Sequence, residues 1–467
     1  MMLRRVAWIT APAVLVAVSL IAVFASLAYG GGADPTLAFG KDPGALVRYG
    51  IPVGTMLFNL GIAGTLGALV LACFALDPKR PEYGRALDVA AASAGVWAVA
   101  SGFTAFITFV GRYEVKTFDD NSFAIFGQWL TTVENGQAWL TAILVAAAVT
   151  VLCFAVRNQS VLVVVTLLAG YGLVPMSGQG HTGGTATHDA ASSAIFVHIA
   201  FSGVWLGGLV TLAIARRQLE GSRLVVVLRR YSTVALVCFL VIAASGYVSA
   251  EIRVETLENL LTPYGILVLI KIAALLVLGF FGAVYRNYAI GRIEKSAKGG
   301  RGWFWWVVTA ELAFMGIASG VAAALARTAT PKVEVTAADL EDPTPAEILT
   351  GAPLPPPPTF ERFVTMWNFD IIWILVCAFG IGFYLLGVRR LLKRGDSWPW
   401  YRTVLWVSGM LLLFWITNGG VNSYEKYLFS AHMLAHMALG MMVPVLLVPG
   451  APITLALRTI AKRTDGS

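Results

Sequence analysis

Twelve long apolar runs decide most of what this chain can fold into. A helix that crosses a bilayer needs about 20 mostly apolar residues. Runs of that kind fall at roughly 6–29, 46–76, 87–111, 137–156, 160–176, 190–215, 231–250, 263–285, 303–326, 366–388, 401–418 and 430–449. The second is long enough to tilt or to kink at Pro52, and 121–133 reads as a short surface helix. Of the 467 residues, 57% are hydrophobic and 13% are charged. A soluble chain of this length carries about 25% charged residues, so most of this one faces something other than water. The formal net charge of +8 does not point to nucleic acid, because the basic residues sit in short loops and form no stripe. The expected fold is all-α, a polytopic membrane helix bundle of about 12 transmembrane helices. The run Val6–Tyr29 is too long for a signal-peptide core and reads as the first span.

Basic residues set the orientation. With the N-terminus inside and the spans alternating, inner segments hold 24 of the 34 Lys and Arg residues. Every inner loop contributes to the bias, which places both termini in the cytoplasm. The longest outer loop, Arg327–Phe360, contains Pro355-Pro356-Pro357-Pro358. A proline run favours extended polyproline geometry and acts as a semi-rigid spacer. The expected organisation is a membrane domain over 1–330 with about nine helices, an external Pro-rich linker over 331–360, and a second membrane domain over 361–467 with about three.

The four cysteines, Cys73, Cys153, Cys238 and Cys377, are scattered in apolar runs with no paired spacing, so they read as small core residues. No Walker A motif, dinucleotide fingerprint, H-E-x-x-H or intramembrane C-P-C occurs. No enzymatic activity is expected.

The chemistry concentrates in five histidines, all at or near the outer face in this topology. His181 and His188 lie in a Gly-rich loop just after Met176, and His198 lies about two turns into the next span. His432 and His436 begin the last span, in Ser430-Ala431-His432-Met433-Leu434-Ala435-His436-Met437. Their i,i+4 spacing puts both rings on one helix face, where they can chelate one ion. Met433 and Met437 repeat the spacing. Thioethers favour Cu(I) and imidazole also suits copper, so a copper ion, as Cu(I) rather than Cu(II), fits this set. The competing reading has the histidines bonded to backbone or headgroups and the methionines filling gaps. Lys271 and Glu311 are ionisable residues inside adjacent spans and count as functional candidates for that reason; their side chains are long enough to pair. Asp88 and Asp370 lie nearer span ends, where solvation is expected.

These residues resemble known families. The segment His198-Ile199-Ala200-Phe201-Ser202-Gly203-Val204-Trp205-Leu206-Gly207-Gly208-Leu209 is similar to the signature helix of the copper resistance protein CopD family. Arg230-Tyr231-Ser232, Ser245-Gly246-Tyr247, Thr262-Pro263-Tyr264-Gly265, Lys271 and Glu311 follow in order. The resemblance spans roughly 40–330 and is strongest over 195–326. From about 366 onward the chain resembles the start of the cytochrome c oxidase assembly factor CtaG family, carried by His432-Met433-x-x-His436-Met437 and Pro444-x-Leu446-Leu447-x-x-Gly450-x-Pro452. CtaG-type domains continue for several more spans, so the expectation is either that the sequence is a fragment or that the second half is truncated. Together the halves look like actinobacterial CopD/CtaG fusions.

The resemblance implies copper import or resistance at the plasma membrane and copper supply for oxidase assembly. The partners it implies are the lipid bilayer, copper, and a periplasmic copper chaperone or oxidase subunit. The residues read as metal ligands are His432, His436, Met433 and Met437, with His181, His188, His198 and Met176 as a second set. Two rivals stand beside this reading: a membrane haem carrier with histidine axial ligands, and an assembly scaffold without cofactor.

Overall fold

The structure, a computed structural model, describes residues 3–34, 42, 44–113, 115, 119–179, 188–219, 221–284, 300–332, 342–350 and 353–459. Twelve of its helical segments are long and apolar enough to cross a membrane, and they follow the twelve runs read from the sequence. Among the described residues there is no β-strand, only one isolated bridge between Trp367 and Gly419. The chain divides into two compact units, one of residues 1–181, 195–333 and 465–467, the other of 182–194 and 334–464.

In the first unit the helices are α1 Leu3–Gly30, α2 Ala45–Phe74, α3 Pro81–Tyr113, α4 Asp120–Thr132, α5 Glu134–Ala155, α6 Gln159–Tyr171, α7 Val174–Ser177, α8 His188–Ala215, α9 Gly221–Val254, α10 Pro263–Val284 and α11 Gly300–Leu325. The first turns of α8 fall in the second unit's share of the chain. Helix α2 runs unbroken through Pro52 and lies at the centre of the core. Trp97 of α3 is fully buried and meets Phe58 of α2 edge-on at 6.1 Å; Phe58 in turn meets Trp139 of α5 at 5.7 Å.

Lipid offers no hydrogen bonds, so buried hydroxyls must be satisfied within the helices. Thr65, Ser101 and Thr104 each donate to the carbonyl four residues back, at 2.7–2.8 Å. The segment 121–133, read as a surface helix, is α4. Asp119 caps it by accepting from Ser122 N at 2.8 Å, and the helix buries Trp129 against the Phe109 ring.

Small residues bring α8 and α2 into backbone contact. A Cβ on Gly207 would lie 1.8 Å from the Ala63 carbonyl oxygen, and one on Gly67 would lie 2.2 Å from Gly208 N. Without a hydrophobic drive between helices in lipid, close approach through small residues is what holds spans together. Near one end of these helices Arg223 Nε donates to the buried Glu82 Oε1 at 3.2 Å, and Arg230 donates to Ala75 O at 3.0 Å. Helix α9 starts at Gly221, about ten residues before the apolar run at 231. Its arginines therefore ride on the helix.

The second unit contains α12 Pro345–Thr350, α13 Phe360–Thr365, α14 Ile371–Lys393, α15 Trp400–Asn418, α16 Gly420–Tyr424 and α17 Phe429–Met437. A π turn Ala438–Met442, α18 Val443–Leu447, a 3-10 turn Val448–Gly450 and α19 Pro452–Thr459 follow. The span expected at 366–388 begins instead at Ile371. Trp367 bridges to Gly419, and Asp370 caps the helix by accepting from Ile372 N at 2.8 Å. Asp370 also accepts from Ser193 Oγ at 2.9 Å, so it is engaged where solvation was expected.

The last span is broken where the sequence suggested one continuous helix. Pro444 cannot donate to the carbonyl four residues back and its ring crowds that position; the turn before it widens into a π turn. Ala451 takes a left-handed φ of 49° between Gly450 and Pro452. Tyr384 holds this corner. Its hydroxyl donates to Gly450 O at 2.8 Å and accepts from Trp398 Nε1 at 3.1 Å, and its ring stacks on Trp406 at 5.2 Å.

The proline run is fastened to the second unit. The hydroxyl of the buried Tyr424 lies 2.9 Å from Pro356 O and 3.2 Å from Met366 Sδ, and Tyr427 OH donates to Pro353 O at 3.1 Å. Tyr424→Phe is expected to cost about 1 kcal/mol, the net worth of one such bond. Limited proteolysis near 353–358 should accelerate a fewfold while the fold of the spans, followed by circular dichroism, is retained. An unchanged cleavage rate would show that the tyrosine does not hold the strap.

Candidate functional site

Helix α17 presents two faces of different chemistry. Ala431 and Ala435 are buried, and Ala438 continues that face into the π turn. Ala435 and Ala438 pack with Ile416 and Val421. His432, Met433, His436 and Met437 point the other way and are exposed. The alanines are the reason: with small residues on the packed side, the large polarisable side chains take the open side. Met441 and Met442, in the π turn, extend the exposed thioether surface. π turns of this kind are frequent at functional sites.

Neither the His432 nor the His436 ring is hydrogen-bonded among the described residues, which leaves their nitrogens available. The i,i+4 spacing supplies two imidazoles on one face, with Met433 and Met437 one position round. Two nitrogens and two soft sulfurs form a donor set suited to Cu(I).

Acidic groups lie beside this face. Glu425, in the turn between α16 and α17, is within electrostatic reach of His432, Lys426 and Asp189, and Lys426 forms an ion pair with Asp189. Burial pushes the Glu425 carboxyl above the usual range; Asp189 adds to the rise, while His432 and Lys426 oppose it. An acid whose folded pKa is raised costs stability above that pKa and costs nothing below its unfolded value near 4.3. Glu425→Gln is therefore expected to raise the thermal midpoint above neutral pH, with the gain disappearing towards pH 4. A midpoint lowered at pH 8 would show that the carboxylate is net stabilising.

The second predicted set is less concentrated. His181 and the side chain of His188 lie outside the described residues. Met176, on α7, is half-buried and packs against the core of the first unit. His198, on α8, places Nδ1 3.1 Å from Ser245 Oγ of α9, and that hydroxyl donates to Ile242 O at 3.2 Å. Gly246 stands against the ring; a Cβ there would come 3.6 Å from Cε1.

Lys271 and Arg253 lie within electrostatic reach of His198, a positive surrounding that weakens any cation held there. Their place on adjacent spans and their long side chains suggested that Lys271 could pair with Glu311. Among the described residues no ion pair joins them. Glu311 is buried on α11, and Lys271 shares its neighbourhood with Arg253 and His198. Asp88 is exposed and sits 3.6 Å from Arg85. Among the described residues no three His, Cys, Asp or Glu side chains converge to hold a metal, so a site on α17 rests on two imidazoles and the thioethers.

Comparison with known proteins assigns the regions. Residues 45–191 match the family model described as copper resistance protein D-like, N-terminal domain, and 225–325 match copper resistance protein D. Residues 382–465, which include the α17 face, match the cytochrome c oxidase caa3 assembly factor. The glycine-rich segment His198–Leu209 lies between the two copper resistance matches.

Uncharacterised proteins of Mycobacterium leprae, Mycobacterium bovis and Mycobacterium tuberculosis are each 42% identical over 121 residues. That stretch covers 26% of this chain and 18% of each relative. No solved structure matches. With twelve apolar spans and these three regional matches in one polypeptide, the chain is a multi-pass plasma-membrane protein whose regions match copper resistance protein D and then the caa3 oxidase assembly factor, the order of a CopD/CtaG fusion.

Proposed function

We propose that the protein handles copper without enzymatic chemistry: it takes up copper, or confers tolerance to it, and supplies copper for cytochrome c oxidase assembly. The observation that carries this reading is the exposed His432/Met433/His436/Met437 face within the region matching the oxidase assembly factor. Copper is cargo here, as Cu(I). The two imidazoles chelate it, the thioethers select for the soft ion, and the carboxylates of Glu425 and Asp189 raise the local cation concentration.

In this reading both termini are cytoplasmic, as the Lys and Arg distribution favours, and the α17 face opens to the outer side. There it exchanges copper with a periplasmic chaperone or an oxidase subunit. The division proposed is a copper resistance domain over 1–330, a Pro-rich external segment over 331–360 and an assembly-factor-like domain over 361–467. His181 and His188 serve as an outer capture pair ahead of it. His198 and Met176 contribute less to binding, one held by Ser245 amid positive charge and the other packed in the core.

The test is bound metal in protein purified after growth with copper, compared with the His432→Ala/His436→Ala double variant, with a visible spectrum alongside. Copper near one ion per chain that disappears in the variant supports the reading. A strong Soret band with no copper replaces it with the haem carrier, and neither signal replaces it with the scaffold.

A further inference from the structure

The corner held by Tyr384 carries more positive charge than its own acids can meet. It lies in the second unit, where α14 ends, α15 begins and α19 returns. The segments that meet there, 388–403 and 452–459, carry Arg389, Arg390, Lys393, Arg394, Arg402 and Arg458 against the single acid Asp396. Arg394 Nη1 donates to Arg458 O at 3.3 Å, which brings the end of α14 against the end of α19.

The centre of the corner is an indole. Trp398 is buried, and its Nε1 donates to the buried Tyr384 hydroxyl at 3.1 Å, which fixes the ring. The guanidinium carbon of Arg402 lies 5.1 Å from the ring centroid and that of Arg458 lies 5.9 Å from it. Two like charges thus share one platform. A cation–π contact uses their charge and leaves their N–H donors unmet. Arg458 reaches Asp396 only at 3.9 Å, with the two side chains 43% and 47% exposed. Among the described residues Arg402 has neither an acid partner nor a hydrogen-bond acceptor for its side chain. It also stands in the first turn of α15, which contains no acid, at the helix end whose partial charge is already positive. What the arrangement lacks is an anion.

The surroundings point to what carries that anion. Trp400 and Tyr401, next to Arg402, are exposed, and so are Ile453 and Leu457, at i,i+4 on α19 beside Arg458. Apolar side chains flanking cations on a short helix at a span end fit a helix lying in the lipid interface, and Trp and Tyr favour that depth. A soluble phosphate gains nothing from these side chains, whereas a phospholipid does. We infer that Arg402 and Arg458, mounted on Trp398, bind the phosphate of an anionic phospholipid whose acyl chains lie along Trp400, Ile453 and Leu457. Guanidinium groups take phosphate through paired N–H···O bonds, and basic pockets at the cytoplasmic ends of spans, which this is in the topology proposed above, hold anionic headgroups. The unmatched positive charge favours a headgroup of net negative charge over a zwitterionic one. The site shares no residue with α17, so it is independent of the copper reading.

The experiment is native mass spectrometry of the delipidated full chain in detergent, titrated with phosphatidylglycerol or with phosphatidylcholine of the same acyl chains. One phosphatidylglycerol is expected to bind about tenfold or more tightly than phosphatidylcholine, as two arginines at a lipid surface warrant. Arg402→Ala/Arg458→Ala should remove that preference. Arg389→Ala/Arg390→Ala takes the same charge from α14 and should keep it, as should His432→Ala/His436→Ala. Should the first pair fail to fold, Arg402→Lys/Arg458→Lys carries the test: it keeps the charge, loses the paired bonds and should weaken binding severalfold. Equal binding of the two lipids, an undiminished preference in the Arg402/Arg458 variants, or an equal loss in the Arg389/Arg390 variant overturns the proposal. Displacement of phosphatidylglycerol by inorganic phosphate overturns it in favour of a free-phosphate site.

Discussion

Gly207→Val is expected to leave little folded protein. The added Cβ would stand 1.8 Å from the Ala63 carbonyl oxygen and 2.5 Å from its carbon, with Gly64 Cα 3.0 Å away. These are backbone atoms of a neighbouring helix and cannot swing aside as a side-chain tip can. Helices α2 and α8 must separate, and the small-residue contact that joins them is lost. Overpacking of a flexible core costs about 1–3 kcal/mol; against rigid backbone the cost is larger, and a fall in thermal midpoint of about 10 °C or more follows.

The same argument makes Gly67→Val damaging, since its Cβ would meet Gly208 N at 2.2 Å and Gly207 C at 2.3 Å. Gly95, on α3, is the control. Nothing lies within 4 Å of a Cβ there, and Gly95→Ala is expected to be neutral or slightly stabilising because alanine is the better helix former. The measurement is size-exclusion behaviour and thermal melting in detergent. A monodisperse, heat-stable Gly207→Val protein would show that the two helices do not need this contact.

The second large effect is on metal binding. His432→Ala/His436→Ala is expected to reduce bound copper from about one ion per chain to less than a tenth. The reason is chelation: each ring alone offers one nitrogen, whereas the i,i+4 pair closes on a single ion. Each single variant should therefore lose most of the binding, by tenfold or more, and Met437→Leu should weaken Cu(I) more than Cu(II) because the thioether is the soft donor. Both rings are exposed and the packed side of the helix is alanine, so the double variant is expected to keep its fold, which circular dichroism checks. Wild-type copper content in the double variant would remove α17 as the site.

Much of the architecture was legible in the residues because hydropathy is local. Each of the twelve apolar runs declares itself without reference to any other, and each coincides with a helical span in the structure, although the last is broken at its π turn. The short helix at 121–133 was legible too; its Asp119 cap is seen only in the structure. The pairing of His432 with His436 on one face follows from helical period alone.

Other features had no local signal. The π turn at Ala438–Met442 and the left-handed Ala451 depend on how Pro444 and Pro452 are accommodated against Trp406 and Tyr384. The proline run read as a spacer, yet Tyr424 and Tyr427 tie it down.

The sequence by itself determined the spans, their number and the chemistry available on the last of them, since burial in lipid is summed residue by residue along each segment. Tertiary structure alone decided which helix faces meet. It set Gly207 against Ala63, left the α17 imidazoles open with alanines behind them, and placed Lys271 near His198 and Arg253 with no ion pair to Glu311. In lipid every apolar face is equally comfortable against tails, so hydropathy cannot rank partners. That choice falls to close packing and hydrogen bonds between spans, which exist only once the helices have met.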